Sequence, residues 1–120
     1  MRTYTPEEAE AEIAGLRDQL ARIHAARRAL IGASERISDA LAADGGGVAG
    51  SDWFEASRQL RADVTDLADR EILLRDPERG LVDFPMEREG RIVFLCWRAD
   101  EDHLGYWHEQ DSGFLGRQPL

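Results

Sequence analysis

The stretch LVDFPMEREGRIVFLCWRA, residues 81–99, decides the fold. On either side of EREG lies a short run rich in branched and aromatic residues, LVDFPM and RIVFLCWRA, and the loop between them ends in Gly90, suited to a left-handed backbone. This predicts a β-hairpin. The pattern continues outward: EILLRD (71–76) before the loop PERG, and HLGYWHE (103–109) after DED, extend it to a four-stranded antiparallel meander over residues 72–110. With a glycine-bulge turn from Glu87 to Arg91, one face carries Val82, Phe84, Phe94 and Cys96, and the other Asp83, Leu95 and Trp97. Both faces are then apolar, whereas a sheet with one wet side alternates cleanly. A helix is expected over one face, and the tail SGFLGRQPL (112–120) or a second subunit over the other.

Upstream, TYTPEE (3–8) is a helix start: Thr5 caps, Pro6 takes the first helical position and Glu8 completes a capping box. The acidic run Glu7 to Glu12 complements the helix dipole. Ile13, Leu16, Leu20, Ile23, Leu30, Ile37 and Leu41 then recur at steps of three and four, interrupted by Arg27 and Ser34, which predicts a helix over 5–43 with a coiled-coil-like seam. ADGGGVAGSD (43–52) stops it. A second helix over 51–71 carries Trp53, Leu60, Val64 and Leu67 and folds back antiparallel. At 1.5 Å per residue the two span roughly 55 and 31 Å. Measured back from the loop, helix two ends near Ile23, so Ile13, Leu16 and Leu20 need a partner in the sheet or in another subunit. The fold class is α+β: a long helical hairpin, a small antiparallel sheet and a tail over 111–120, within one domain of 120 residues.

The totals restrict function. A formal net charge of −9 opposes attraction to nucleic acid and anionic lipid, and Arg22, Arg27, Arg28 and Arg36 are interspersed with acids, with Arg28 placed to pair with Asp63 or Asp66. No apolar run is long enough for a membrane span, and the start MRTYTPEEAEAE turns acidic where a targeting peptide is apolar or basic. A single cysteine, Cys96, fits a reducing cytoplasm. All fifteen basic residues are arginine, which excludes lysine Schiff-base and phosphate-loop lysine chemistry.

Several motifs invite chemistry. GGGVAG (45–50) matches a dinucleotide fingerprint at Gly45, Gly47 and Gly50, and spaces Gly45 and Gly50 like a phosphate loop. A helix precedes it instead of a strand, however, and Ser51 stands where lysine is required, so it is expected to be an interhelical turn. Cys96, His103 and His108 are three metal ligands of acceptable type without the paired cysteines of a structural zinc site; Asp102 or Glu109 is the available fourth. Pairing residue 98 with 104 in the last hairpin puts Cys96, Tyr106 and His108 on one face, within reach of a cysteine–histidine nucleophile, though a mid-strand cysteine lacks what lowers a thiol pKa. Asp83 interrupts the apolar run GLVDFP and requires a partner, with Arg91, Arg98 or Arg117 as candidates. Asp83, Arg91, Trp97, Arg98, Trp107, His108, Glu109 and Arg117 thus form the candidate binding set, a polar centre ringed by aromatics.

RGLVDFP, GR followed by LCWR, YWHE and GFLGRQPL, together with the opening YTPEEAE, resemble a bacterial family known as domain of unknown function 2203. The resemblance covers essentially the whole chain and implies a helical hairpin followed by β structure, with no established activity and no catalytic residue to carry over. ADEDH (99–103) departs from the shorter glycine and glutamate turn of that family, which sets His103 apart.

Three functions follow as expectations: a non-enzymatic cytoplasmic binding or assembly module, homodimeric through its helix seam and apolar sheet; a small enzyme or small-molecule binder around Asp83, Arg98 and His108, with His108 as base; and a metal-binding protein through Cys96 and His108. No cofactor is expected.

Overall fold

The computed structural model describes residues 1–44 and 51–120. Two helices, α1 (Pro6–Asp44) and α2 (Ser51–Asp69), precede strands β1 (Leu73–Asp76), β2 (Leu81–Arg88), β3 (Arg91–Arg98) and β4 (Tyr106–His108), a 3₁₀ turn at Phe114–Gly116 and a last short strand, β5 (Gln118–Pro119). GGGVAG, with its dinucleotide and phosphate-loop spacings, lies outside the described residues.

The central turn sets the sheet. Glu89 and Gly90 have φ of 52° and 78°, so the hairpin closes on two left-handed residues, the turn whose twist matches that of its flanking strands. Pairing runs without a bulge from Arg88 opposite Arg91 to Leu81 opposite Arg98. The expected glycine bulge is absent from this hairpin, and the face assignment changes with it. Val82 and Phe84 share a face with Leu95 and Trp97, while Asp83 lies opposite Cys96 on the other. The last hairpin keeps its expected register, with Cys96 opposite Tyr106. The sheet has five antiparallel strands in sequence order, one more than expected, because Gln118 pairs with Trp107.

One face is therefore apolar from Val82 to Met86 and from Val93 to Trp97, and it buries against the helices. Ile13, Leu16, Leu20 and Ile23 of α1 and Leu67 of α2 join Val82, Phe84, Leu95 and Trp97 in a single core. The N-terminal segment closes its edge: the Tyr4 amide donates to the Pro85 carbonyl at 2.7 Å, its hydroxyl to the Arg70 carbonyl at 2.6 Å, and its ring meets Phe84 edge-on. At the start of α1 the capping box forms, with Glu8 N–H donating to Thr5 Oγ1 at 3.1 Å and Thr5 N–H to Glu8 Oε1 at 2.8 Å.

Polar pairs fix the helical hairpin. Arg70 reaches Glu12 at 2.7 Å, Gln19 donates to the Asp63 carbonyl and the Asp66 carboxylate at 2.9 Å each, and Arg22 binds Asp63 at 3.0 Å. The end of α2 thus lies beside the beginning of α1. The region expected to overhang, Ile13 to Leu20, is the best covered, and Ile31, nearer the interhelical loop, is exposed. At this offset the buried polar groups are paired: Gln19 bonds the Asp63 carbonyl, and Arg22 and Gln59 hold the Asp63 carboxylate. The same offset changes the arginine partners: Arg27 and Arg28 meet Glu78 in the β1–β2 turn, not Asp63 or Asp66. Val64, expected in the seam, faces solvent. No described helix is long and apolar enough to cross a membrane.

Candidate functional site

The sheet face turned away from the helices carries a polar centre. Asp83 on β2, Cys96 on β3 and His108 on β4 are 2%, 1% and 3% exposed, and one ligating atom from each lies within 4.8 Å of the others. Their convergence follows from the strand registers: Asp83 is opposite Cys96, and His108 is opposite Phe94, one diagonal step from the sulfur.

Asp83 Oδ2 accepts from Arg75 Nε on β1 at 2.9 Å and lies 3.0 Å from His108 Nε2. The other ring nitrogen, Nδ1, is 2.7 Å from the Glu109 carbonyl. A carbonyl only accepts, so Nδ1 carries a hydrogen, and Nε2 is the nitrogen turned to the carboxylate. Asp83 Oδ1 is buried and has no hydrogen-bond partner among the described residues. A buried carboxylate oxygen left without a partner is costly. Burial pushes the Cys96 thiol up to about 12; the Asp83 charge beside it adds to this, and Arg117 only partly offsets it. Cys96 is held as a thiol, the reverse of what a nucleophile requires.

A cavity of about 380 Å³ opens beside the three, lined by Arg75, Leu81, Asp83, Cys96 and His108 and walled by residues 110–114. Phe94 forms part of this face, with the Arg75 guanidinium 5.0 Å and the His108 ring 5.7 Å from its centroid. Residues 112–114 of the tail thus cover the part of the second face that carries this centre.

Of the candidate binding set, Asp83 and His108 meet at this centre. Trp97 and Trp107 lie on the opposite face in the helical core, where Trp97 Nε1–H donates to the Glu101 carbonyl at 3.1 Å and Arg88 packs over Trp107. Arg91 binds Glu109 and Glu89 at the exposed end of the hairpin, and its hydrogen bonds hold Glu109 below the usual carboxylate range. Arg98 binds Asp100 at 2.6 Å, and Arg117 binds Glu101 at 2.9 Å; their guanidiniums pack over Phe114. None of Arg91, Arg98 and Arg117 is the partner of Asp83. Arg75 is, and the sequence hid it, because β1 pairs with β2 through an irregularity between Leu74 and Asp76 that strict alternation does not reveal. His103 leaves the metal set: it is exposed and bonds Glu10 at 2.8 Å, far from Cys96 in the fold, while Asp83 takes its place. Asp102 does not join the group, and Glu109 faces Arg91.

Comparison with protein families matches residues 2–120 to the family described as Uncharacterized conserved protein (DUF2203). The chain belongs to this family. Comparison with curated proteins and with solved structures gives no match. Within this DUF2203 chain, three of the strings that resemble the family deliver the buried centre: RGLVDFP supplies Asp83, LCWR supplies Cys96 and YWHE supplies His108. A fourth, GFLGRQPL, supplies Phe114 in the cavity wall and Arg117 beside the thiol.

Proposed function

We propose that this chain is a binding protein for a small polar ligand, held in the cavity between the sheet and residues 110–114, with a cationic or hydrogen-donating group of the ligand against Asp83. The unpartnered oxygen of a buried carboxylate carries this proposal. Arg75 and His108 satisfy one oxygen and orient the group; the other is left for a donor from outside the fold. Binding is favoured over covalent catalysis because the nearest nucleophile is a thiol held protonated. A reducing compartment, the cytoplasm, suits the free cysteine.

A thermal-shift screen against small cationic and amino-bearing metabolites, with a chelator present, tests this. A true ligand at a hundredfold excess over its Kd adds about 2.7 kcal/mol, raising Tm by several degrees. Asp83→Asn is expected to remove the shift while still melting cooperatively. A broad screen without shifts, or a shift that Asp83→Asn retains, would defeat the proposal.

A second function, assembly as a homodimer, is favoured by the helical arm. Phe54, beside Trp53 on α2, is 68% exposed, and Ile31 and Val64 add further exposed apolar surface to the hairpin. The two functions are compatible, since the arm and the cavity use different elements.

A further inference from the structure

Building on the proposal that the cavity is a binding site, we infer that Asp83, Cys96 and His108 form a three-ligand site for a zinc-class divalent ion. The donor set is one carboxylate oxygen, one sulfur and one imidazole nitrogen, a combination that suits zinc or cobalt. Calcium and magnesium require a shell of oxygens, and only one oxygen-bearing side chain is present in the trio. Three protein ligands with the fourth position open toward a cavity is the arrangement of ions that take up an exogenous molecule.

Geometry supports the site from its second layer outward. The Glu109 carbonyl fixes the hydrogen of His108 on Nδ1, so Nε2 is the nitrogen available to an ion, the orientation usual for a metal-ligating histidine. Arg75 holds Oδ2 of Asp83 and leaves Oδ1 without a partner. Ligand atoms around a tetrahedral ion lie roughly 3.3–3.8 Å apart. The three atoms here already lie within 4.8 Å of one another, close to that spacing.

Charge balance explains how a buried centre tolerates the exchange. With the ion, a thiolate, a carboxylate and a neutral imidazole offset its two positive charges. Protons held on the ligand atoms leave to solvent, three coordinate bonds form and no electrons are transferred. The other charged groups facing the trio are Arg75 from β1, Arg98 from β3, Arg117 before β5 and Asp111 after β4. Arg98 and Arg117 are neutralised by Asp100 and Glu101, which limits their repulsion of a cation. Protons compete with the ion, so affinity rises with pH.

The test is titration of chelator-stripped protein with Co²⁺, followed by absorbance, and with Zn²⁺, followed by calorimetry in two buffers of different ionisation enthalpy. Expected are one ion per chain, a near-ultraviolet thiolate-to-cobalt band, proton release as the Cys96 thiol ionises, and a chelator-reversible rise in Tm. Cys96→Ser is expected to abolish the band and weaken binding by at least about tenfold, whereas His103→Ala leaves both unchanged. If Cys96→Ser fails to fold, the wild-type band and proton release still decide. No uptake of either ion, uptake without a thiolate band, or uptake lost in His103→Ala would overturn the inference. A metabolite shift that persists with chelator in a chain that takes up no metal would remove the ion and leave the small-ligand proposal standing; failure of both assays would end both.

Discussion

Cys96 lies buried opposite Asp83, and both its burial and that neighbour resist formation of a thiolate. The thiol stands at about 12, against an ordinary value of 9.0 taken for the unfolded chain. A group whose pKa is raised by folding contributes stability below its unfolded value and loses it as pH rises toward the folded value. Stability is therefore expected to fall between about pH 9 and pH 12, on the order of 4 kcal/mol at about 1.4 kcal/mol per pH unit. Urea unfolding across that range should show a shallower decline for Cys96→Ala; an identical slope would count against the assignment. At this scale the sequence is informative about identity and poor about partnership. Asp83 is conspicuous as the acid inside GLVDFP, and Cys96 and His108 as potential ligands, but the arginine that meets Asp83 depends on strand register, which no single residue encodes.

Among the elements, local chemistry and register differ in how plainly they are written. The start of α1 is legible because a cap is chemistry within four residues: Thr5, Pro6 and Glu8 suffice. Thr5→Ala is expected to cost about 1 kcal/mol in denaturant unfolding, with no change at the buried centre. The β1–β2 turn depends more on tertiary packing. Gly80 has φ of 69°, and a Cβ there would stand 2.8 Å from the Ala99 Cβ, while its carbonyl accepts from the Ala99 amide at 3.0 Å. Gly80→Ala therefore combines a disfavoured backbone with a clash and is expected to cost more than Thr5→Ala, on the order of 2–3 kcal/mol; equal costs would refute the close approach. Gly90 shares the left-handed conformation, and the expected bulge and the observed turn differ at its neighbour Glu89. A non-glycine residue at positive φ is uncommon, so sequence alone favours a bulge over this two-residue turn.

For the whole molecule, the division into a helical hairpin and an antiparallel sheet is legible from periodicity, because steps of three and four and short branched runs differ over many residues. The offset of the hairpin is not, since Gln19 and Asp63 look like surface residues until they are paired. The arm that this offset leaves exposed gives a test of assembly. If Phe54 anchors a homodimer, light scattering at micromolar concentration should give twice the chain mass for the wild type and a single chain for Phe54→Glu; a wild-type monomer would end that proposal. The Asp83–Cys96 alignment has one more consequence. Sliding β2 past β3 by a single residue would thrust a carboxylate among Leu95 and Trp97 and strip it of Arg75 and His108. The acid at the middle of the sheet thus acts as a proofreader of the fold, penalising the misaligned ladder whose greasy residues would otherwise make a passable imitation of the native one.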